Sequence, residues 1–256
     1  MTAVAQTLFL FVRLIRNLLR QPIWIALMLI QPMFWLLLYS QLFRRITELP
    51  GFGTTSYVDY LTPGIAIMTA FFSGTWAGMG TIEDLDRGVI ERFLATPARR
   101  SAIVFARVLQ SAVVATVQAV IILVVGLFLG ATNGGPLGWL VIMLAAFLVA
   151  AGFSGISNGI ALLTRQEATM IAVANFIGLP LLFFSSILIA ASLIPGWMET
   201  LSLANPVEWA VRAARAQALP NTDWGEIGLY LALLACFTAL TGAFATRCFR
   251  SYQRTL

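Results

Sequence analysis

Apolar residues do not alternate with polar ones along most of this chain; they run on in charge-free stretches punctuated by short polar segments. The first stretch, 23–43, measures about 31 Å at helical rise, enough to cross a bilayer. A second covers 61–82. After Arg107 no charge appears until Arg165, too long a run for one crossing, and Asn133, Gly134, Gly135 and Pro136 supply a turn that divides it into 108–131 and 137–163. Further stretches at 168–193 and 227–246 complete the pattern. It predicts an all-α integral membrane protein of about six transmembrane helices, forming a single membrane domain over 1–256.

The N-terminal 1–21 differs. Arg13, Arg16 and Arg20 share one helical face, and Leu8, Val12, Ile15 and Leu19 form a stripe on another, which predicts an amphipathic helix lying in the membrane interface. A cleaved signal peptide carries its charges before the apolar stretch and ends in small residues. Here the arginines lead into a full-length span, so the segment is expected to be retained.

Composition agrees with a lipid solvent: 59% of residues are apolar, 11% are charged, and the mean hydropathy is +0.88, beyond the range of soluble domains. Charge then orients the spans. With the N-terminus inside, Arg13, Arg16, Arg20, Arg87, Arg92, Arg99, Arg100, Arg107, Arg165, Arg247, Arg250 and Arg254 are cytoplasmic, against Arg44, Arg45, Arg212 and Arg215 outside. The excess of inside arginine predicts both termini in the cytoplasm of a multi-pass cytoplasmic-membrane protein. Tyr57, Tyr60, Trp139, Trp197 and Trp224 fall near the expected outer boundaries, as interface anchors do.

The chain has no lysine and no histidine. A P-loop needs a lysine to reach nucleotide phosphates, so if ATP drives this protein, another chain binds it. Lack of histidine removes the usual general base, proton relay and metal ligand. No catalytic or metal site is expected. Cys236 and Cys248 lie about 18 Å apart on a continuous helix, too far for a disulfide within one chain. The span centres contain no ionisable residue, which disfavours ion-coupled transport. A pathway would be lined by apolar groups and by neutral polar ones such as Gln118, Ser154, Asn158 and Asn175, although such residues also serve as interhelical glue. No substrate-binding residue is assigned.

Two polar segments carry the functional signal. In 83–100, Glu83 to Arg87 and Arg87 to Glu91 have i,i+4 spacing, with Val89, Ile90, Phe93 and Leu94 on an apolar side. Thr96 and Pro97 end this short helix and start the next. The result is a charged and apolar elbow suited to a partner's groove, or else a solvated loop whose arginines set topology. In the outer segment 195–225, Asn205, Pro206 and Glu208 fit the N-cap, N1 and N3 positions of a capping box, and Glu208 to Arg212 is an i,i+4 pair. An ordinary amphipathic surface helix explains those residues equally well.

The elbow resembles the coupling region of ABC type-2 transporter permeases, in particular the daunorubicin and doxorubicin exporter type. The matching residues are Asp86, Arg87, Gly88, Glu91, Arg92, Thr96, Pro97 and Arg99, with Asp84 beside them; Val89 and Ala98 depart mildly from the common pattern. The stretch Pro195, Gly196 and Trp197, followed by Asn205 and Pro206 and a late Arg212, resembles the family's short half-helices that close the outer mouth. The likeness extends over essentially the whole chain.

The resemblance implies a permease subunit that exports a hydrophobic or amphipathic compound, drug-like or lipid, in a prokaryotic antibiotic-resistance setting. ATP and Mg would sit on separate ABC ATPase subunits docking on 83–100, with no cofactor in this chain. The other implied partners are a second permease copy or paralogue, in a homodimer or heterodimer, and membrane lipids, with no nucleic acid. A polysaccharide or lipid-linked glycan exporter, a secondary transporter and a non-transporting scaffold are the alternatives. Gly74 with Gly78, Gly126 with Gly130, and Gly155 with Gly159 have the spacing for close helix approach, within one chain or across a dimer.

Overall fold

A computed structural model describes residues 3–43, 45, 56–94, 100–132, 134–188, 195–217 and 222–253. It is all-α. The helices are α1 (Ala3–Leu19), α2 (Pro22–Leu42), α3 (Tyr57–Thr75), α4 (Met79–Asp86), α5 (Val89–Leu94), α6 (Arg100–Phe128), α7 (Gly135–Thr164), α8 (Glu167–Phe183), α9 (Gly196–Ser202), α10 (Pro206–Ala216) and α11 (Trp224–Gln253).

Among the described residues, four helical stretches are long and apolar enough to cross a membrane: Tyr57–Asp86, Ser101–Phe128, Gly135–Thr164 and Trp224–Tyr252. Ala26–Leu42 and Glu167–Phe183 are shorter apolar helices. Pro32 sits inside α2 without ending it. One stretch differs from the sequence pattern. The stretch expected at 168–193 is helical only to Phe183, after which the chain unwinds through 184–188 and turns its carbonyls to side chains described below. The chain reverses between α6 and α7 through Gly134 and Gly135, both at positive φ (+68° and +70°), where a side chain would be strained.

Helix α7 is the axis of the bundle, packed by α3, α6, α10 and α11. Its residues Ile142, Ala145, Ala146, Val149, Ala150 and Phe153 lie in the main core with Leu61, Ile65 and Phe71 of α3 and Ile122 and Leu123 of α6. Lipid offers no hydrophobic drive to helix association, so close approach and dispersion must supply it. The small residues permit that approach inside the chain. A Cβ on Gly74 would fall 2.6 Å from the Ala150 carbonyl oxygen, and one on Gly155 would fall 2.9 Å from the Thr241 main chain and hydroxyl. Gly126 closes on Thr62, whereas Gly130 sits at φ +94° with open space around it.

Helix α1 and the C-terminal part of α11 meet at one end of the bundle. There Leu10 of α1 packs on a second apolar cluster of Ile90, Ile103, Val104, Phe249 and Tyr252. Leu8, Val12 and Leu19, from the stripe read in the sequence, are exposed, so this apolar edge of α1 faces away from the protein.

Candidate functional site

At the termini-bearing end, α3 breaks at 76–78 and resumes as α4. A break inside a bundle frees backbone groups that must find partners. Ser157 of α7 supplies them: its hydroxyl donates to the Thr75 carbonyl at 2.6 Å and accepts from the Gly78 N–H at 2.9 Å. One turn on, Thr81 donates to the Asn158 side-chain carbonyl, and Asn158 in turn donates to the Ser154 carbonyl (2.8 Å) and hydroxyl (3.0 Å). Asn158 is 1% exposed, so its bonds are made away from water.

Helix α4 then leads through Gly88, at φ +64°, into α5. The left-handed residue lets the chain turn sharply while leaving its outward side chains free. Asp86, Arg87 and Arg92 are exposed, whereas Ile90 is buried in the second cluster. Glu83 and Arg87 pair at 2.6 Å on the surface. Asp84 points the other way, to Arg107 of α6, which is 8% exposed and bonds it through Nη2. A charge that deep needs a partner, and Asp84 is the one given. The segment is thus fastened to α6 from below and displays charge above.

At the opposite end a denser set of polar groups surrounds the unwound 184–188. Asn205 caps α10 with its Oδ1 on the Val207 N–H (2.9 Å), while its Nδ2 donates to the Leu181 and Phe184 carbonyls at 2.7 and 3.0 Å. Glu208, 1% exposed, accepts from the Ser186 N–H (2.7 Å), the Ser186 hydroxyl (3.1 Å) and Arg212 Nε (2.8 Å). Arg215 donates to three main-chain carbonyls: Tyr60 (3.1 Å), Ser186 (2.6 Å) and Ile187 (2.6 Å). Its guanidinium lies 3.5 Å above the Tyr60 ring, a cation–π contact strengthened by burial. Tyr60 itself donates to the Ser186 carbonyl at 2.6 Å and Tyr57 to that of Leu188 at 3.2 Å.

Burial pushes Arg215 below the ordinary guanidinium value, with Tyr60 and Glu208 pulling against it. For Arg212 burial also opposes the charge, but bonds to Glu208 and Tyr230 outweigh it and hold its pKa up. Gly64 makes the approach possible, since a Cβ there would come within 2.7 Å of Arg215 Nη2.

Between these ends lies an apolar cavity of about 210 Å³, open on one side. Its wall on α8 is Met170, Val173, Ala174, Ile177, Gly178 and Leu181. Phe71 and Thr75 of α3, Phe153, Ile156, Ser157 and Ile160 of α7, Pro206 and Phe237 close the rest.

Of the residues singled out in the sequence, Asp84, Asp86, Arg87, Gly88 and Arg92 come together on α4 and α5, but Asp84 is turned into the bundle. Thr96, Pro97 and Arg99, and the Glu91 side chain, lie outside the described residues. Pro195 and Gly196 start α9, and Asn205, Pro206, Glu208 and Arg212 belong to the second set. The capping box is half formed: Asn205 caps, whereas Glu208 turns from the helix start to the Ser186 N–H, a buried donor it alone reaches. Arg107, Arg215 and Ser157 were not singled out. An arginine in an alanine-rich helix reads as a topology determinant until its burial is known. Of the polar span residues, Asn175 donates to the Ile171 carbonyl of its own helix (2.9 Å), whereas Gln118 Oε1 has no bond among the described residues.

The sequence profile described as ABC-2 type transporter matches residues 5–219. A putative transport permease ycf38 of Cyanophora paradoxa is 30% identical over 212 residues, covering 82% of this chain and 73% of that protein. The daunorubicin resistance ABC transporter permease protein DrrB1 of Streptomyces coeruleorubidus is 24% identical over 251 residues, 98% of this chain and 88% of its own. A probable doxorubicin resistance ABC transporter permease protein DrrC of Mycobacterium tuberculosis is 22% identical over 217 residues, 84% and 78% of the two chains.

Proposed function

The chain belongs to the ABC-2 type transporter family as a multi-pass membrane permease, and from that premise we propose that it exports a hydrophobic or amphipathic compound, driven by ATP hydrolysed on a separate subunit that docks on 83–100. The termini-bearing end is then cytoplasmic, following the arginine bias. ATP and Mg belong to the partner, and a second permease copy or paralogue completes the pathway.

The observation that carries this reading is the two-sided build of α4 and α5. Asp86, Arg87 and Arg92 face outward, where a partner can read their charge, while Asp84 and Ile90 grip α6 and α11. A push on the outer side is therefore delivered to long helices rather than dissipated in a loop. The joint at 76–78 gives α4 a place to pivot relative to α3. The apolar walls of the cavity beside α8, and relatives whose names refer to daunorubicin and doxorubicin resistance, support a hydrophobic cargo over a polar glycan.

Affinity purification of the full chain in mild detergent tests the docking. A protein with a Walker-A sequence should accompany the parent chain and be lost from the Arg87→Glu, Arg92→Glu double variant, whose helical content stays unchanged. Retention of the ATPase by that variant refutes docking on this surface.

A further inference from the structure

Where α4, α6, α7 and α11 meet, the bundle encloses a second and much smaller cavity, of about 10 Å³. Three polar side chains line it, Thr81 of α4, Arg107 of α6 and Asn158 of α7. The rest of its wall, which includes Leu162 and Phe249, is aliphatic or aromatic. Every lining residue is buried, none being more than 8% exposed. A cavity of this size holds about one water and nothing larger.

The three polar groups have hydrogen-bonding capacity left over. Thr81 gives its one hydroxyl proton to the Asn158 side-chain carbonyl, so its own oxygen can still accept. Asn158 turns its amide group to Ser154, and its carbonyl keeps a second lone pair. A guanidinium carries five N–H donors, and among the described residues Asp84, reached through Nη2, is the bonded partner of Arg107. Nη1 lies against Gly80, where an added Cβ would come within 3.1 Å of it. The lining therefore offers both acceptors and donors. A cation would be repelled by Arg107, and an anion would face two oxygens beside an arginine that Asp84 already neutralises. A methyl group would leave the polar groups bare. A water accepts from Arg107 and donates to Thr81 or Asn158, within the about two to four polar partners that an internal water requires.

We propose that this cavity is a binding site for one structural water, which accepts from the Arg107 guanidinium and donates to the Thr81–Asn158 pair. The water joins two networks that otherwise stand apart: Asp84 with Arg107, between α4 and α6, and Thr81 with Asn158 and Ser154, between α4 and α7. A bridge through water is nearly as favourable as a direct hydrogen bond. It ties α6 to α7 beside the α3–α4 joint, at the level where α4 is fastened to both. The site rests on burial and hydrogen-bonding capacity and is independent of what docks on 83–100.

Radiolytic hydroxyl labelling read by mass spectrometry tests it on the full chain in detergent. An ionising pulse makes hydroxyl radical from a bound water where it sits, so side chains against that water are oxidised even when bulk solvent cannot reach them. Leu162 and Phe249, 2% and 1% exposed, are expected to label several-fold faster than Phe71 and Ile142 of the main core, both 0% exposed. They should keep that label when a bulky radical scavenger in the buffer suppresses labelling of the exposed Trp224. Val104→Ile adds a methylene to the cavity wall, and the double variant Asp84→Ala, Arg107→Met removes the donors. Each should bring Leu162 and Phe249 down to the rate of Phe71, with the circular dichroism of the parent. Parent rates at the Phe71 level overturn the proposal. So does labelling that the scavenger removes, which marks access from bulk water, or labelling undiminished in a folded variant of either kind.

Discussion

The two ends of the bundle handle charge in opposite ways. At the far end Glu208 is buried and Arg215 half-buried, and the bonds they make turn inward, to Ser186, Ile187, Tyr60 and Arg212. At the other end the buried Arg107 pairs with Asp84 and anchors a segment whose Glu83, Asp86, Arg87 and Arg92 are exposed. The difference separates two uses of the same residue types. Buried and fully bonded charges fix one geometry, because each alternative leaves an unpaired ion in an apolar medium. Exposed ones contribute little to the fold and stay available to a partner.

Removing a charge from each region should rank the two ends. The largest effect is expected for Arg215→Ala, which removes the donor from the Tyr60, Ser186 and Ile187 carbonyls and should cost about 1–3 kcal/mol for each one left bare. Thermal unfolding of the full chain in detergent measures it. An Arg215→Lys variant should recover only part, since an ammonium cannot span three carbonyls from one plane. If both variants unfold at the parent temperature, the far end is not held as described.

A smaller loss, about 1–3 kcal/mol, is expected for Asp84→Ala, which leaves Arg107 buried without its carboxylate. The double variant Asp84→Ala, Arg107→Met should regain most of the stability, because an apolar pair of similar volume removes the stranded ion. A double variant no better than the single one would mean that Asp84 acts by some route other than Arg107. The smallest effect belongs to Arg87→Ala. Its pair with Glu83 is more than half exposed on both sides, so stability should change by less than about 0.5 kcal/mol. Unfolding at a clearly lower temperature would show that the outward face is structural, and would dissolve the contrast between the ends.

The helices were legible in the sequence because lipid enforces long charge-free runs, and the turn at 133–136 because glycine and proline advertise it. The local pairs Glu83–Arg87 and Glu208–Arg212 followed from helical spacing alone, and both form. Long-range partners did not follow. Glu208 satisfied a capping-box spacing, yet its carboxylate serves Ser186, 22 residues back, since an unwound N–H buried nearby is costlier to leave bare than a helix start. Asp84 fitted the outward charge pattern of the elbow, but its angular position on α4 sends it to Arg107. The early end of α8 carried a proline signal, Pro180, one turn before Phe183. Apolar residues beyond it hid the break, because 184–188 is stabilised by side chains from elsewhere rather than by its own composition.

The far-end set also dictates an order of assembly. Arg215 reaches the Tyr60 carbonyl across 155 positions and the Ser186 carbonyl across 29. The Arg215 bonds cannot form until the ribosome has passed residue 215, by which time α3, α6, α7 and α8 have already been delivered to the membrane. The α6–α7 hairpin can close early on its own glycine turn; the mouth around 184–188 has to wait for α10, and a chain halted before α10 would carry that gap permanently.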